Sequence, residues 1–211
     1  MDEIIRKILG KGKFILLDRL SKTDSKLLRR LYWNLRAQDI HDTWGEGTED
    51  FHVIRRVIDR VGAKKLLDIG CGSGRCFPLY QQMHITEVVG QDISSSALAL
   101  CEKRFPGLPY HLFHGGIEKL NYPDSYFDLI ISTRVLAAVL PDDIAATVKT
   151  LSRLGNSLYL NEMTDSDYVG PSTYWFKHDY KHLMAENGFS VIEHGNIGKQ
   201  TWVLYRKEKN A

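Results

Sequence analysis

The chemistry-bearing residues of this chain concentrate where an apolar run meets three glycines. Leu66-Leu67-Asp68-Ile69 passes into Gly70, Gly72 and Gly74, spaced by single residues, and a helix-compatible segment from Arg75 to Met83 follows. This reads as buried strand, tight turn and helix, the place where an α/β sheet presents a ligand. Glycines there let the backbone take positive φ and approach a bound molecule with no Cβ in the way. The helix start beyond them offers free N–H groups that suit a carboxylate or other anion. Glu87 to Ser94 then reads as a second strand ending in Asp92, about twenty residues after the glycines. An acid at that distance sits at the adjacent strand tip and can accept from both hydroxyls of a ribose.

The details of the turn exclude two phosphate-binding loops. The third glycine of a G-x-G-x-x-G fingerprint would fall on Arg75, and no G-x-x-x-x-G-K-[ST] is present. The string resembles motif I of the class I S-adenosylmethionine-dependent methyltransferases, hydrophobics-D-hG-x-G-x-G, and the resemblance spans about residues 50–207. It implies S-adenosylmethionine as cofactor, S-adenosylhomocysteine as product, and Asp68, Gly70, Cys71 and Gly72 as cofactor-binding residues, with Asp92 and Ile93 at the ribose. Arg75 is read either as a partner of the methionine carboxylate or as a solvated helix-start arginine. His114-Gly115-Gly116-Ile117-Glu118 is similar to the family segment whose acid bonds the adenine amino group, but Gly116 stands where that acid is usual. Adenine is then held by the backbone of Gly116 and Ile117, or by Glu118 from a shifted position. Ser132 and Thr133, after the fourth strand, fall where the family contacts the methionine portion, and Trp44 falls where family members close the cleft.

Alternating patterns position these residues. Strands are predicted near 65–69, 86–91, 110–113, 127–132 and 156–162, with helices near 75–83, 94–104, 142–153 and 174–187. Two further helices are predicted over 24–37, capped by Thr23 or Ser25, and from Thr48 to about Val61. Residues 189–194 and 200–206 flank Gly195-Asn196-Ile197-Gly198 as a hairpin. The resemblance makes this a doubly wound, Rossmann-like seven-stranded sheet, mostly parallel, with one antiparallel strand from the C-terminal hairpin. Residues 1–48 are expected to form a helical extension covering the cleft, and residues 49–211 the methyltransferase domain.

Composition bounds the partners. The 211 residues, 43% hydrophobic and 26% charged, suit one substantial core. No apolar run approaches the length of a membrane span and the first residues resemble no signal peptide, so a cytoplasmic location without membrane is expected. Three cysteines, Cys71, Cys76 and Cys101, fit a reducing compartment, and no His or Cys spacing suggests a metal. Residues 1–40 carry ten Lys or Arg against five Asp or Glu, without the aromatic interleaving of a nucleic-acid surface.

No Asn/Asp-Pro-Pro-aromatic run and no Pro-Cys nucleophile follows the fourth strand, which disfavours base methylation. The expected acceptor is therefore a small molecule, methylated at O or N. A protein N-terminal amine and a non-catalytic cofactor-binding subunit are the alternatives, and a homo-oligomer is compatible with the sequence. Acceptor contacts are expected from Trp44–Gly47, Arg134–Leu140 and Asn161–Asp179. The last stretch, acidic at its start and aromatic at its end, suits either a lid over an amine-bearing acceptor or a dock for the next helix. His178 and Asp179 are the candidate bases.

Overall fold

The computed structural model describes residues 25–45, 47–107, 109–162, 175–198 and 200–208, with the side chain of Trp44 outside that set. The arm before Ser25 and residues 163–174 of the expected lid lie outside the described residues.

Seven strands form a single sheet: β1 Lys65–Ile69, β2 Glu87–Asp92, β3 His111–His114, β4 Leu129–Thr133, β5 Ser157–Asn161, β6 Phe189–Ile197 and β7 Gln200–Lys207. Their order is β3-β2-β1-β4-β5-β7-β6, with β1 to β5 parallel and β7 antiparallel to both its neighbours. This is the expected Rossmann-like sheet. The helices are α1 Lys26–Trp44, α2 Phe51–Val61, α3 Phe77–Gln82, α4 Ser95–Arg104, α5 Ile144–Leu154 and α6 Tyr180–Glu186. Short 3-10 turns occupy Ile117–Lys119 and Leu136–Ala138.

The central strands are apolar throughout because both faces are covered. On one face Leu66, Val88 and Leu129 pack against Val57 of α2, Phe77 of α3 and Leu98 of α4. On the other, Leu67, Val89 and Ile130 meet Val148 and Leu151 of α5 and Met184 of α6. From β1 the chain winds outward to β2 and β3 on one side and to β4 and β5 on the other, so the strand order reverses beside β1. Ligand crevices of open α/β sheets form at such a reversal, at the carboxyl ends of the strands.

Three helix boundaries differ from the sequence pattern, each for a local reason. Helix α1 continues past 37 to Trp44, because nothing in Gln38–Trp44 breaks a helix. It ends at Gly45, whose N–H reaches the His41 carbonyl at 2.7 Å. Helix α2 begins at Phe51 after Asp50, not at Thr48, and Asp50 makes no side-chain cap bond. Helix α6 begins at Tyr180, where the Asp179 carboxylate accepts from the His182 N–H at 3.0 Å, while 175–179 stay extended.

Asp128, just before β4, accepts the N–H groups of Lys64 and Lys65, each at 2.9 Å, and so joins the start of β1 to its neighbour. Removing a carboxylate that serves two backbone donors costs about 1–3 kcal/mol. Asp128→Ala should lower unfolding stability by that amount in a denaturant titration and leave ligand binding at the opposite end of the sheet unchanged.

Candidate functional site

A cavity of about 1300 Å³ opens at the carboxyl ends of β1, β2, β4 and β5. Its floor begins at the glycine turn. Gly70 has φ +60°, and a Cβ there would run into the Val135 side chain. Gly72 has φ +57° and its missing Cβ would point into open space, with the Gly70 carbonyl oxygen nearest at 4.0 Å. The turn therefore presents bare backbone to the cavity.

Asp92 holds that turn in place. One carboxylate oxygen accepts from the Gly72 N–H at 2.9 Å, the other from the Ser94 N–H at 2.8 Å. Burial raises its carboxyl above the ordinary carboxylate range, while the N–H groups of Ser94 and Gly72 oppose that shift. Gln91, 2% exposed, bridges two loops: its side-chain oxygen lies 3.3 Å from the Gly70 N–H and its amide nitrogen donates to the Gly115 carbonyl at 2.5 Å. Its one sequence signal is a polar side chain within an otherwise apolar strand.

Asp68 also faces the cavity and is buried, accepting from the Tyr80 hydroxyl at 3.1 Å. Desolvation pushes its carboxyl up to about 7, against the pull of the Tyr80 bond and the Arg75 charge. Cys71 is buried and its small side chain fits against Gly90; burial raises its thiol well above the usual range.

Arg75 lines the cavity, but its guanidinium is engaged by Asp50 at 2.6 and 2.8 Å and by the Gly47 carbonyl at 2.9 Å. It is neither solvated nor a lone counter-ion, and a fork-to-fork pair of this kind fixes the α2 N-terminus on the glycine loop.

At the third loop, a Cβ on Gly116 would overlap the Glu118 carboxylate. Glu118 therefore fills the volume in which an acid at position 116 would place its side chain. Gly116, Ile117, Glu118 and Ile93 all line the cavity.

After β4 the chain turns at Arg134, a non-glycine residue with φ +59°. Glu162, 4% exposed, organises the turn by accepting from the N–H groups of Val135, Leu136 and Ala137 at 3.1–3.2 Å and from the Ser132 hydroxyl. Ser132 is fully buried beneath the site and its hydroxyl is spent on Glu162, so it does not line the cavity. Thr133 does. Its side-chain oxygen, and that of Asn161, its register partner on β5, are buried with no hydrogen-bond partner among the described residues. Buried polar atoms without partners, beside a cavity, mark a place where a ligand completes the bonding.

His178 and Asp179 are not brought into the cavity. His178 Nε2 donates to the Val139 carbonyl at 3.0 Å, and burial lowers its basicity; Asp179 caps α6. Both side chains have local structural partners instead of a reacting group. The inward face of α1, which the sequence pattern assigned no site residue, supplies Tyr32, Trp33, Ala37 and Ile40 to the wall. His41 joins them, 3.0 Å from the Ser73 hydroxyl. Trp44 ends α1, and its side chain lies outside the described residues. Among the described residues no three His, Cys, Asp or Glu converge as metal ligands, and no helix is long and apolar enough to cross a membrane.

A family model described as a methyltransferase domain matches residues 66–156. Over that stretch, which begins at the strand before the glycine turn, the chain is similar to a methyltransferase domain. A Haemophilus influenzae protein described only as uncharacterized is 29% identical over 203 residues, covering 90% of this chain and 78% of that protein. Among solved structures, the 1,6-didemethyltoxoflavin-N1-methyltransferase of Burkholderia thailandensis superposes with a TM-score of 0.65 at 15% identity, covering 85% of this chain and 87% of that one. Magnesium protoporphyrin IX methyltransferase of Synechocystis gives 0.60 at 17% identity, covering 98% and 96%. At these identities the structural likeness speaks for the fold.

The residues present fit the cofactor. The open backbone at Gly72, the paired carboxylate oxygens of Asp92 and the unpartnered side-chain oxygens of Thr133 and Asn161 are what a ribose and an amino-acid tail require of a wall.

The raised Asp68 carboxyl has a consequence for stability. In the unfolded chain it ionises near 3.8, in the folded one at about 7, so the folded state holds the extra proton between those values. Stability is then lost as pH rises from about 4 to 7, by at most about 4 kcal/mol. Asp68→Asn keeps an acceptor for Tyr80 and has no proton to lose. Denaturant titrations at pH 5 and pH 8 should show the variant gaining stability relative to the wild type at the higher pH; an equal difference at both would contradict the burial argument.

Proposed function

We propose that the protein transfers a methyl group from S-adenosylmethionine to a nucleophilic oxygen or nitrogen of a small-molecule acceptor. The observation that carries this reading is the bare positive-φ turn at Gly72, fastened to Asp92 at the floor of a cavity of about 1300 Å³. That volume exceeds the roughly 300–1000 Å³ of ordinary ligand pockets. It leaves room for an acceptor beside a cofactor.

When bound, the cofactor supplies an activated methyl group on sulfur, so the protein's task is to position, orient and keep water away. Asp92 offers its remaining lone pairs to the ribose hydroxyls. The Glu118 carboxylate, lying over Gly116, is placed to accept the adenine amino group, with the backbone of Gly116 and Ile117 beside it. Thr133 and Asn161 offer oxygens to the methionine end and to the acceptor. With His178 and Asp179 held away from the cavity, no described residue is assigned as general base. Such a site suits an acceptor that loses its proton without one.

Three measurements test this assignment. Asp92→Ala should weaken S-adenosylhomocysteine binding by about 2–3 kcal/mol in isothermal titration, through lost ribose bonds and a loosened glycine turn. Unchanged affinity would remove Asp92 from the site. Glu118→Ala should weaken binding roughly tenfold, and adding Gly116→Asp to it should restore affinity, because the space the glutamate vacates is where that aspartate side chain goes. Thr133→Val should keep or raise thermal stability, since it deletes an unpartnered polar atom, while lowering cofactor turnover with a panel of phenols, amines and acids. A protein that binds S-adenosylmethionine and releases no S-adenosylhomocysteine with any acceptor would be a binding subunit instead.

A further inference from the structure

Beyond the strand tips the cavity continues beneath α1, where Trp33 and Trp175 face each other edge to plane with ring centres 6.4 Å apart. Charges of both signs line the cavity: Asp68, Asp92 and Glu118 with Arg75 and Arg134 from the strand tips and loops, and Lys26, Arg29, Arg30 and Arg36 from α1, with Asp143. Asp143 is engaged by Lys26 at 2.8 Å, and Arg36 sits 3.8 Å from Asp39. Arg29, 7% exposed, donates to the Ala138 carbonyl at 2.6 Å and lies 5.3 Å from the Phe176 ring centre. Arg30 differs from these: it lines the cavity, and its guanidinium makes no hydrogen bond or ion pair with any described residue.

A chamber with an aromatic wall and a guanidinium that has no partner among the described residues suits a flat, apolar body bearing an anion. One planar guanidinium matches a carboxylate with two parallel bonds, whereas a phosphate dianion calls for more donors than Arg30 alone.

We propose that the acceptor is a small aromatic organic acid whose carboxylate is held by Arg30, with its ring packed against the Trp33–Trp175 pair and its nucleophilic group toward Thr133 and Asn161. This rests on the methyl-transfer reading above and reverses the amine acceptor that the composition of residues 161–179 suggested. Arg30 is then a specificity-determining residue, distinct from those holding the cofactor.

The test is isothermal titration of the whole chain, with and without S-adenosylhomocysteine. The probes are 4-hydroxybenzoate, 4-hydroxyphenylacetate and 3-(4-hydroxyphenyl)propionate, each beside its own methyl ester, together with tyramine and phenyl phosphate. At least one acid should bind ten- to a hundredfold more tightly than its ester, and tyramine no better than the esters. Arg30→Gln should erase that difference and leave S-adenosylhomocysteine affinity and thermal stability unchanged; Arg30→Lys should keep part of it.

Acids binding no better than esters, tyramine or phenyl phosphate binding best, or an acid preference that survives Arg30→Gln would each overturn the proposal. Failure of S-adenosylhomocysteine to bind would instead overturn the cofactor reading. The acid–ester comparison on the cofactor-free chain still decides the role of Arg30.

Discussion

A half-buried carboxylate at the tip of β2 holds the site together. Asp92 accepts from the backbone of Gly72 with one oxygen and from that of Ser94 with the other, at 2.9 and 2.8 Å. Charge removed from water is expensive unless donors replace the solvent, and here both donors are backbone N–H groups with no partner of their own kind. The bond fixes the glycine turn against β2, the Ser94 contact sets the start of α4, and the crevice between the strand tips stays open. The roof is fastened at the same place: Asn34 of α1 accepts from the Ser94 hydroxyl at 2.9 Å and from the Ser96 N–H at 3.2 Å. Turn, strand tip, helix start and cover thus share one point.

The opposite wall repeats the device. Glu162 accepts from three successive backbone N–H groups and from Ser132, folding the chain after β4 into the short turn that carries Val135 and Leu136 under the cavity. Burial raises the Glu162 carboxyl, and these donors oppose the shift. Both acids look, by residue type and location, like candidates for proton transfer. Their bonds hold backbone in unusual paths, Asp92 the glycine turn and Glu162 the turn that begins at Arg134 with φ +59°. A cavity whose polar groups mostly shape the wall is consistent with a reaction in which the cofactor brings the activation and the protein brings placement.

What the sequence discloses of this fold follows from what local sequence encodes. Strands covered on both faces read as unbroken apolar runs, so Leu66-Leu67, Val88-Val89 and Leu129–Ile131 mark β1, β2 and β4 directly. The glycine turn is equally plain, because positive φ leaves little choice of residue. Partner choice is not local. Arg75 finds Asp50 twenty-five positions away, a pairing set by how α2 lies on the loop and by nothing near either residue. Glu118 reaches back over Gly116, so its carboxylate occupies the space that an acid two places earlier would fill. The surroundings of His178 and Asp179 are not local either: a helix cap and a histidine bonded to a carbonyl have the same residue types as a base and its partner, and only the fold shows which atoms they face.

The proposed role of Arg30 ties these observations to function. A cationic cofactor and an anionic acceptor placed in one partly dry chamber attract each other more strongly than they would in water, since the effective dielectric is lower. Such attraction needs a brake, or the anion would settle against the sulfonium by whichever group carries the charge. An arginine on the far wall supplies it: by holding the carboxylate under α1, Arg30 would keep the charged end away and leave the other end of the molecule to face the methyl group. The same helix is anchored through Asn34 to the Asp92 hub. Arg30 lies one turn from Asn34 on that helix, so the proposed acceptor anchor and the Asp92 hub would be held against each other by one element.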